Sequence, residues 1–359
     1  MSDVWPYVLA AVGFILLVAL HELGHLLAAK ANDMRVERYA IFFPPFIARR
    51  RVGETEYALG AIPLGGYAKI TGMNPEEELP PDVAPRGYYS KAVWRRVVVI
   101  LAGPAMNILI AFVLLFGLAF GAAKVTSRVG EVTPGFPAAG VLKPGDEVLA
   151  VDGRGGDQLD FQRRISSHRC AGRPRDGCLA RTPAVLRLER DGKPLTLSIR
   201  PRYDAKLGRT RIGFTYATEP LDPSVPKAAG TAVDLMWGVT TGTVKAIARI
   251  FDPQQRKQLS GVVGSYEVTR QAFSFSIRDA LTVLAVISLS LAIINLFPFL
   301  PLDGGHVMLG VLEKLSGRRA SLRIVQQFSA VGFILVIFLF AIGLSNDIGR
   351  LTGGGFETR

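Results

Sequence analysis

The chain has 359 residues, of which 49% are hydrophobic, and its mean hydropathy is positive. That is more apolar material than one soluble core uses, and enough for several membrane spans plus one folded soluble module. The formal net charge is +12, but the arginines lie in loops between apolar runs without aromatic interleaving, which argues against nucleic acid as a partner and for anionic lipid headgroups.

Residues 7–29 form the first run long enough to cross a bilayer, which takes about 20 residues. The preceding Met1-Ser2-Asp3-Val4-Trp5-Pro6 has no basic region and no small-residue cleavage site, so this span is expected to be retained. Inside it lies His21-Glu22-Leu23-Gly24-His25. Histidines four apart fall on one helix face, one turn from each other, close enough to share a metal ion. Glu22, beside the first of them, is placed to take a proton from a water activated by that metal. A His-x-x-x-His pair alone is common on ordinary helices. The glutamate and the apolar flanks change the reading, because each titratable group in hydrocarbon costs several kcal/mol unless paired or hydrated. The chain has four histidines, His21, His25, His168 and His306, and this motif holds two of them.

Residues 36–71 read as a β element with strand-like runs broken at Pro44-Pro45 and Val52-Gly53. It is either an ordinary cytosolic hairpin or one that leans into the site, where a spare strand edge pairs with an extended substrate. Residues 74–87 are acidic and proline-rich, a loop. A second span follows at 97–123, opening on Ala102-Gly103-Pro104-Ala105-Met106-Asn107, which reads as a close-packing face.

Residues 128–202 change character to short strands and tight turns, with a hairpin around Asp191-Gly192. This stretch resembles a PDZ domain with 158–167 as its groove helix; such modules bind extended chain ends by strand addition. Cys170 and Cys178 within it are either a disulfide or two free thiols. His168 and Cys170 lack the ligand spacing of a second metal site. Residues 227–251 are helix-prone and of mixed polarity, suited to the outer membrane surface, and 259–264 form a turn before another helix.

The third and fourth spans fall at 280–299 and 328–344. Lys and Arg gather between the first two spans (Lys30, Arg35, Arg38, Arg49, Arg50, Arg51, Lys69, Arg86, Lys91, Arg95, Arg96) and after the third (Lys314, Arg318, Arg319, Arg323). Those loops are therefore expected on the cytoplasmic side, with both termini outside. Two histidines do not complete a catalytic zinc site, which takes three protein ligands. Asp303, past the proline-broken end of the third span and on the same side as the histidines, is the leading third ligand, and His306 its rival. Asn295 is placed to orient substrate or to glue helices.

Together, His21-Glu22-x-x-His25, Ala102-Gly103-Pro104-x-x-Asn107, a PDZ-like module, and Asn295-Leu296-Phe297-Pro298 running to Leu302-Asp303-Gly304-Gly305 resemble the site-2 protease family of intramembrane zinc metalloproteases. The bacterial regulator-of-sigma-E proteases are the sub-group most like it, and the resemblance covers nearly the whole chain. It implies Zn2+ held by His21, His25 and Asp303, Glu22 as general base, and Asn295 as a substrate-contacting residue. It also implies a bacterial inner (plasma) membrane location. The implied substrates are single-pass proteins already trimmed by another protease, such as anti-sigma factors or remnant signal peptides. The chain departs from the pattern in showing one PDZ-like module where the founding member has a second. Val262 also stands in place of proline in Leu-Ser-Gly-Pro-Val-Gly, and Leu300 in place of a second proline before the aspartate.

The expected fold is a polytopic α-helical membrane protein with about four transmembrane helices, a membrane-associated β-hairpin and an inserted α+β PDZ-like domain. Residues 1–124 make the first membrane part, 125–203 the extracytoplasmic PDZ-like domain, 204–277 a linker with a surface helix, and 278–359 the second membrane part. The active site is expected toward the cytoplasm. Two other functional classes fit parts of the sequence: a membrane metal transporter using the histidines, and a PDZ scaffold with an inactive protease core. The full set His21, Glu22, His25 and Asp303 argues against the scaffold.

Overall fold

The computed structural model describes residues 4–74, 77–205, 207–249, 252, 261–319 and 321–352. The chain divides into two units, Met1–Ala119 with Ser224–Arg359, and Phe120–Pro223. The first unit opens with helix α1 (Trp5–Ala31), strands β1 (Val36–Val52) and β2 (Thr55–Ile70), and helix α2 (Val93–Phe120). The second unit contains β3 (Ala123–Val132), β4 (Glu147–Val151), α3 (Gln158–Ser167), β5 (Ala184–Arg190), β6 (Lys193–Ile199), β7 (Arg202–Asp204), β8 (Arg209–Arg211) and β9 (Phe214–Pro220). Helices α4 (Val225–Ala248), α5 (Val262–Phe275), α6 (Ile277–Asn295), α7 (Asp303–Ser316) and α8 (Leu322–Thr352) then return to the first unit.

Helices α1, α2, α6 and α8 are long and apolar enough to cross a membrane, and only 11–33% of each apolar window is buried inside the protein. A water-soluble fold would hide such surface, so the exposed remainder marks these helices as lipid-facing. They correspond to the four expected spans with different ends. The third stops at Asn295, not at residue 299, because Pro298 lacks the amide that a continuing helix needs. The fourth is longer than 328–344, since 322–327 and 345–352 extend the helix through polar residues.

Helix α4 does not fit a helix lying free on the membrane surface. Ala228 and Ala232 are fully buried, Ala232 packing with Leu115 of α2 and Ala285 of α6. Thr243 Oγ1 stands 3.4 Å from Ser290 Oγ, well along α6. Small side chains permit this close approach, a signal that averaged polarity does not carry. Residues 250 and 251 of the expected helix lie outside the described residues, as do Leu259 and Ser260 of the expected turn. The described part, Gly261 to Gly264, starts α5. Its amides are capped from α8: Asp347, with no exposed surface, accepts from Gly261 N at 3.0 Å and Gly264 N at 2.7 Å. Gly261 has no side chain for this task, so a distant carboxylate serves as the cap.

In the Phe120–Pro223 unit a five-stranded sheet has the order β6-β5-β4-β3-β9. Along β5, Ala184, Leu186 and Leu188 are buried while Val185, Arg187 and Glu189 are exposed, the period-two pattern of a half-buried strand. Helix α3 starts at a reciprocal capping box between Asp157 and Asp160 and turns Phe161 and Ile165 onto the core. Cys170 and Cys178 are joined as a disulfide. His168 bonds Asp152 and Thr182 at 2.9 and 2.8 Å. The unit runs past residue 203, because β9 joins the sheet beside β3.

Asp146 is buried at the turn before β4, where Arg190 grips it with two bonds of 2.7 Å and the Lys143 amide adds a third of 2.8 Å. The guanidinium beside it holds its carboxyl below the usual carboxylate range. A depressed folded value contributes stability at pH above the ordinary carboxylate pKa of about 4, and loses it as pH falls through the folded value. Arg190→Ala should therefore raise amide exchange in β4 and β5 about tenfold at pH 7, the effect of a lost charge-assisted bond. The difference from wild type should shrink below about pH 4. Exchange mass spectrometry on the detergent-solubilised chain measures both.

Candidate metal centre

Helix α1 carries His21 and His25 one turn apart, 7% exposed each. Their Nε2 atoms are 3.3 Å apart and their rings meet edge to face at 83°. Asp303, the first residue of α7, brings Oδ2 to 3.3 Å from His21 Nε2 and Oδ1 to 3.5 Å from His25 Nε2. Among the described residues this is the one group of three or more His, Cys, Asp or Glu whose ligand atoms all lie within 4.8 Å of one another. His306 is outside it.

Orientation is set from behind. His25 Nδ1 lies 2.9 Å from the Val99 carbonyl of α2; a carbonyl only accepts, so Nδ1 carries the proton and Nε2 presents its lone pair to the centre. The Nε2 atoms of both imidazoles and the Asp303 carboxylate converge on one point. Asp303 Oδ2 is buried without a hydrogen-bond partner among the described residues. Such a donor set suits a cation, and nitrogen and oxygen ligands of this kind suit zinc. Asn295, the last residue of α6, places Nδ2 3.3 Å from His21 Nε2, at the rim of the group.

Helix α2 forms the back wall at Gly103. A Cβ there would overlap Nε2 of His25 and come within 2.9 Å of His21 Cε1. Gly24 allows the same approach from α1, its missing Cβ facing the Ala102 carbonyl. The sequence reads the Gly103 motif as packing; that this glycine borders the histidines is carried by no local pattern. Asn107 is fully buried, and its carbonyl accepts from Ser288 Oγ at 2.9 Å.

The β ribbon closes the other side. Strand β1 continues through Pro44-Pro45 instead of breaking. Residues 38–41 lie beside both 56–59 and 66–69, leaving the 66–70 segment as an outer edge. Tyr39 Oη donates to the Ala19 carbonyl at 2.6 Å, tying the ribbon to α1. Gly66 then passes so near Glu22 that a Cβ would sit 3.1 Å from its Cγ. The ribbon is therefore the one that leans on the site.

Apolar helices around a buried His-His-Asp group with an adjoining glutamate define a membrane-embedded metallohydrolase. A profile of peptidase family M50 matches residues 9–339, and the chain belongs to that family. It is 31% identical over 368 residues to zinc metalloprotease Rip1 of Mycolicibacterium smegmatis, covering 88% of this chain and 87% of that one. Identity to Rip1 of Mycobacterium tuberculosis is 30% over 361 residues, covering 90% and 89%. A Fusobacterium nucleatum protein is 28% identical over 350 residues, covering 96% and 99%. The protein is a zinc metalloprotease.

Gly103→Ala should weaken zinc binding about 5- to 150-fold, because the added methyl displaces His25 in a packed wall and such overpacking costs roughly 1–3 kcal/mol. Zinc titration of the metal-free protein against a chromophoric chelator reads the change.

Proposed function

We propose that the chain cuts peptide bonds within or near the transmembrane segments of single-pass proteins, with His21, His25 and Asp303 holding zinc and Glu22 acting as general base. The observation that carries this reading is the convergence of the three ligand side chains beside Glu22 in a protein whose surface is largely lipid-facing. Zinc held there supplies a Lewis acid that polarises a carbonyl and acidifies water. Glu22 takes the proton from the attacking water as the C–O bond forms, and returns it to the amine nitrogen as the C–N bond breaks. Asn295 donates from Nδ2 to the carbonyl under attack in this reading, which its position 3.3 Å from His21 Nε2 supports.

A peptide bond in a membrane helix is shielded by its bond to the next turn, so the substrate has to unwind locally. The 66–70 edge offers backbone groups beside Glu22 to receive the released segment as an added strand. The Phe120–Pro223 unit, read as PDZ-like, selects substrates by binding them or by excluding bulky ones. The Lys and Arg distribution supports both termini and this unit outside the cytoplasm, with the site toward it; the family resemblance suggests a bacterial inner membrane. A disulfide in the unit agrees with that side. Anti-sigma factors and remnant signal peptides are the substrate classes the family resemblance suggests.

Glu22→Gln tests the assignment. It should keep its zinc and lose about 100- to 10,000-fold in cleavage of a single-span substrate; undiminished cleavage would return the histidines to a transport role. In the same assay, introducing Gly or Pro near the cut site should speed cleavage, and equal rates throughout would sink the unwinding step.

A further inference from the structure

Arg96 sits in the first turn of α2 and is 4% exposed. Its two terminal nitrogens donate to both oxygens of Glu313 at 2.8 and 2.7 Å, across 217 residues of sequence. The guanidinium also stands 5.7 and 5.1 Å from the rings of Tyr88 and Tyr89. Arg319 adds a second cation, with Nε 3.6 Å from Glu313 Oε1. A charge this dry needs a partner, and the two-pronged carboxylate pair is the strong form.

What the pair joins gives it meaning beyond packing. Arg96, Val99 and Gly103 are spaced three and seven apart, which puts them on one face of α2. Val99 holds His25 through its carbonyl, and Gly103 walls both imidazoles. The same face, at its Arg96 end, grips α7. Glu313 lies ten residues along α7 from Asp303, about 15 Å away on a stiff rod. Between them Gly310 packs on α2, its Cβ position 3.4 Å from Val97 and 3.5 Å from Val93. One surface of α2 therefore sets the height of both histidines and of the aspartate's helix.

We propose that Arg96 and Glu313 are positioning residues of the metal centre. Their ion pair fixes the register of α7 against α2 and thereby holds the Asp303 carboxylate beside His21 and His25. This rests on the ligand assignment above. A pair that merely stabilises the bundle would change thermal stability and leave coordination alone.

The test uses the full-length protein in detergent, stripped of metal and titrated with Co2+, whose visible absorption reports ligand number and geometry. Arg96→Gln, Glu313→Gln and the double variant are compared with wild type. The double variant removes both charges, so no lone charge is left buried. Each variant is expected to bind Co2+ about 10- to 100-fold more weakly with an altered visible spectrum. The double variant should be no weaker than either single one, while melting close to wild type without metal. Wild-type affinity and spectrum in the double variant would overturn the proposal. If the double variant does not fold, Arg96→Lys decides: weakened Co2+ binding with the charge retained supports the proposal, and wild-type binding overturns it. A wild-type protein that takes up no Co2+ would instead strike at the ligand assignment itself.

Discussion

Two imidazole nitrogens and a carboxylate facing one another at 3.3–3.5 Å repel unless positive charge lies among them. Everything near the site answers that constraint. The close glycine contact between α1 and α2 exists so that a carbonyl of one can steer a histidine of the other. The loop after α6 turns sharply so that α7 starts with its acidic residue at the right height. A cation at that point would relieve the repulsion, and under the proposed ligand assignment the helix spacing and the Arg96–Glu313 pair both serve to hold the three groups in place.

The site's other requirement is polar backbone near a base within apolar surroundings. The ribbon meets it without a loose end. Its strands satisfy most of their own bonds internally, and of its two outer segments the one past Gly66 is the one beside Glu22. A side chain larger than hydrogen at that glycine would push the ribbon off Glu22.

What the sequence disclosed followed sequence distance. His21 and His25 were legible because helical spacing is a local rule, and the four spans because hydropathy is a running average. Asp303 was reached only by asking what an incomplete site lacked, since Asp-Gly-Gly by itself reads as a turn. Gly103 was read as packing: an absent side chain declares nothing about what it makes room for. Pro44-Pro45 looked like a break, yet β1 runs through it, because the run of strand partners outweighs a missing donor. Arg96 enters the sequence reading only as one of the charges that set topology, and nothing local singles out Glu313. Their partnership depends on two helices meeting late in the chain, and no window sees that.

The carboxylate of Asp347 bears on how such a molecule is made. It supplies the opening bonds of α5, a helix whose start leaves the ribosome more than 80 residues before it does. Until the last span is threaded into the bilayer, the start of that earlier helix has bare amides. The start of α5 is therefore completed only after α8 has been made, and α8 closes it like a clasp. A chain cut short of Asp347 would keep every residue of α5 and lose the carboxylate that closes its first turn.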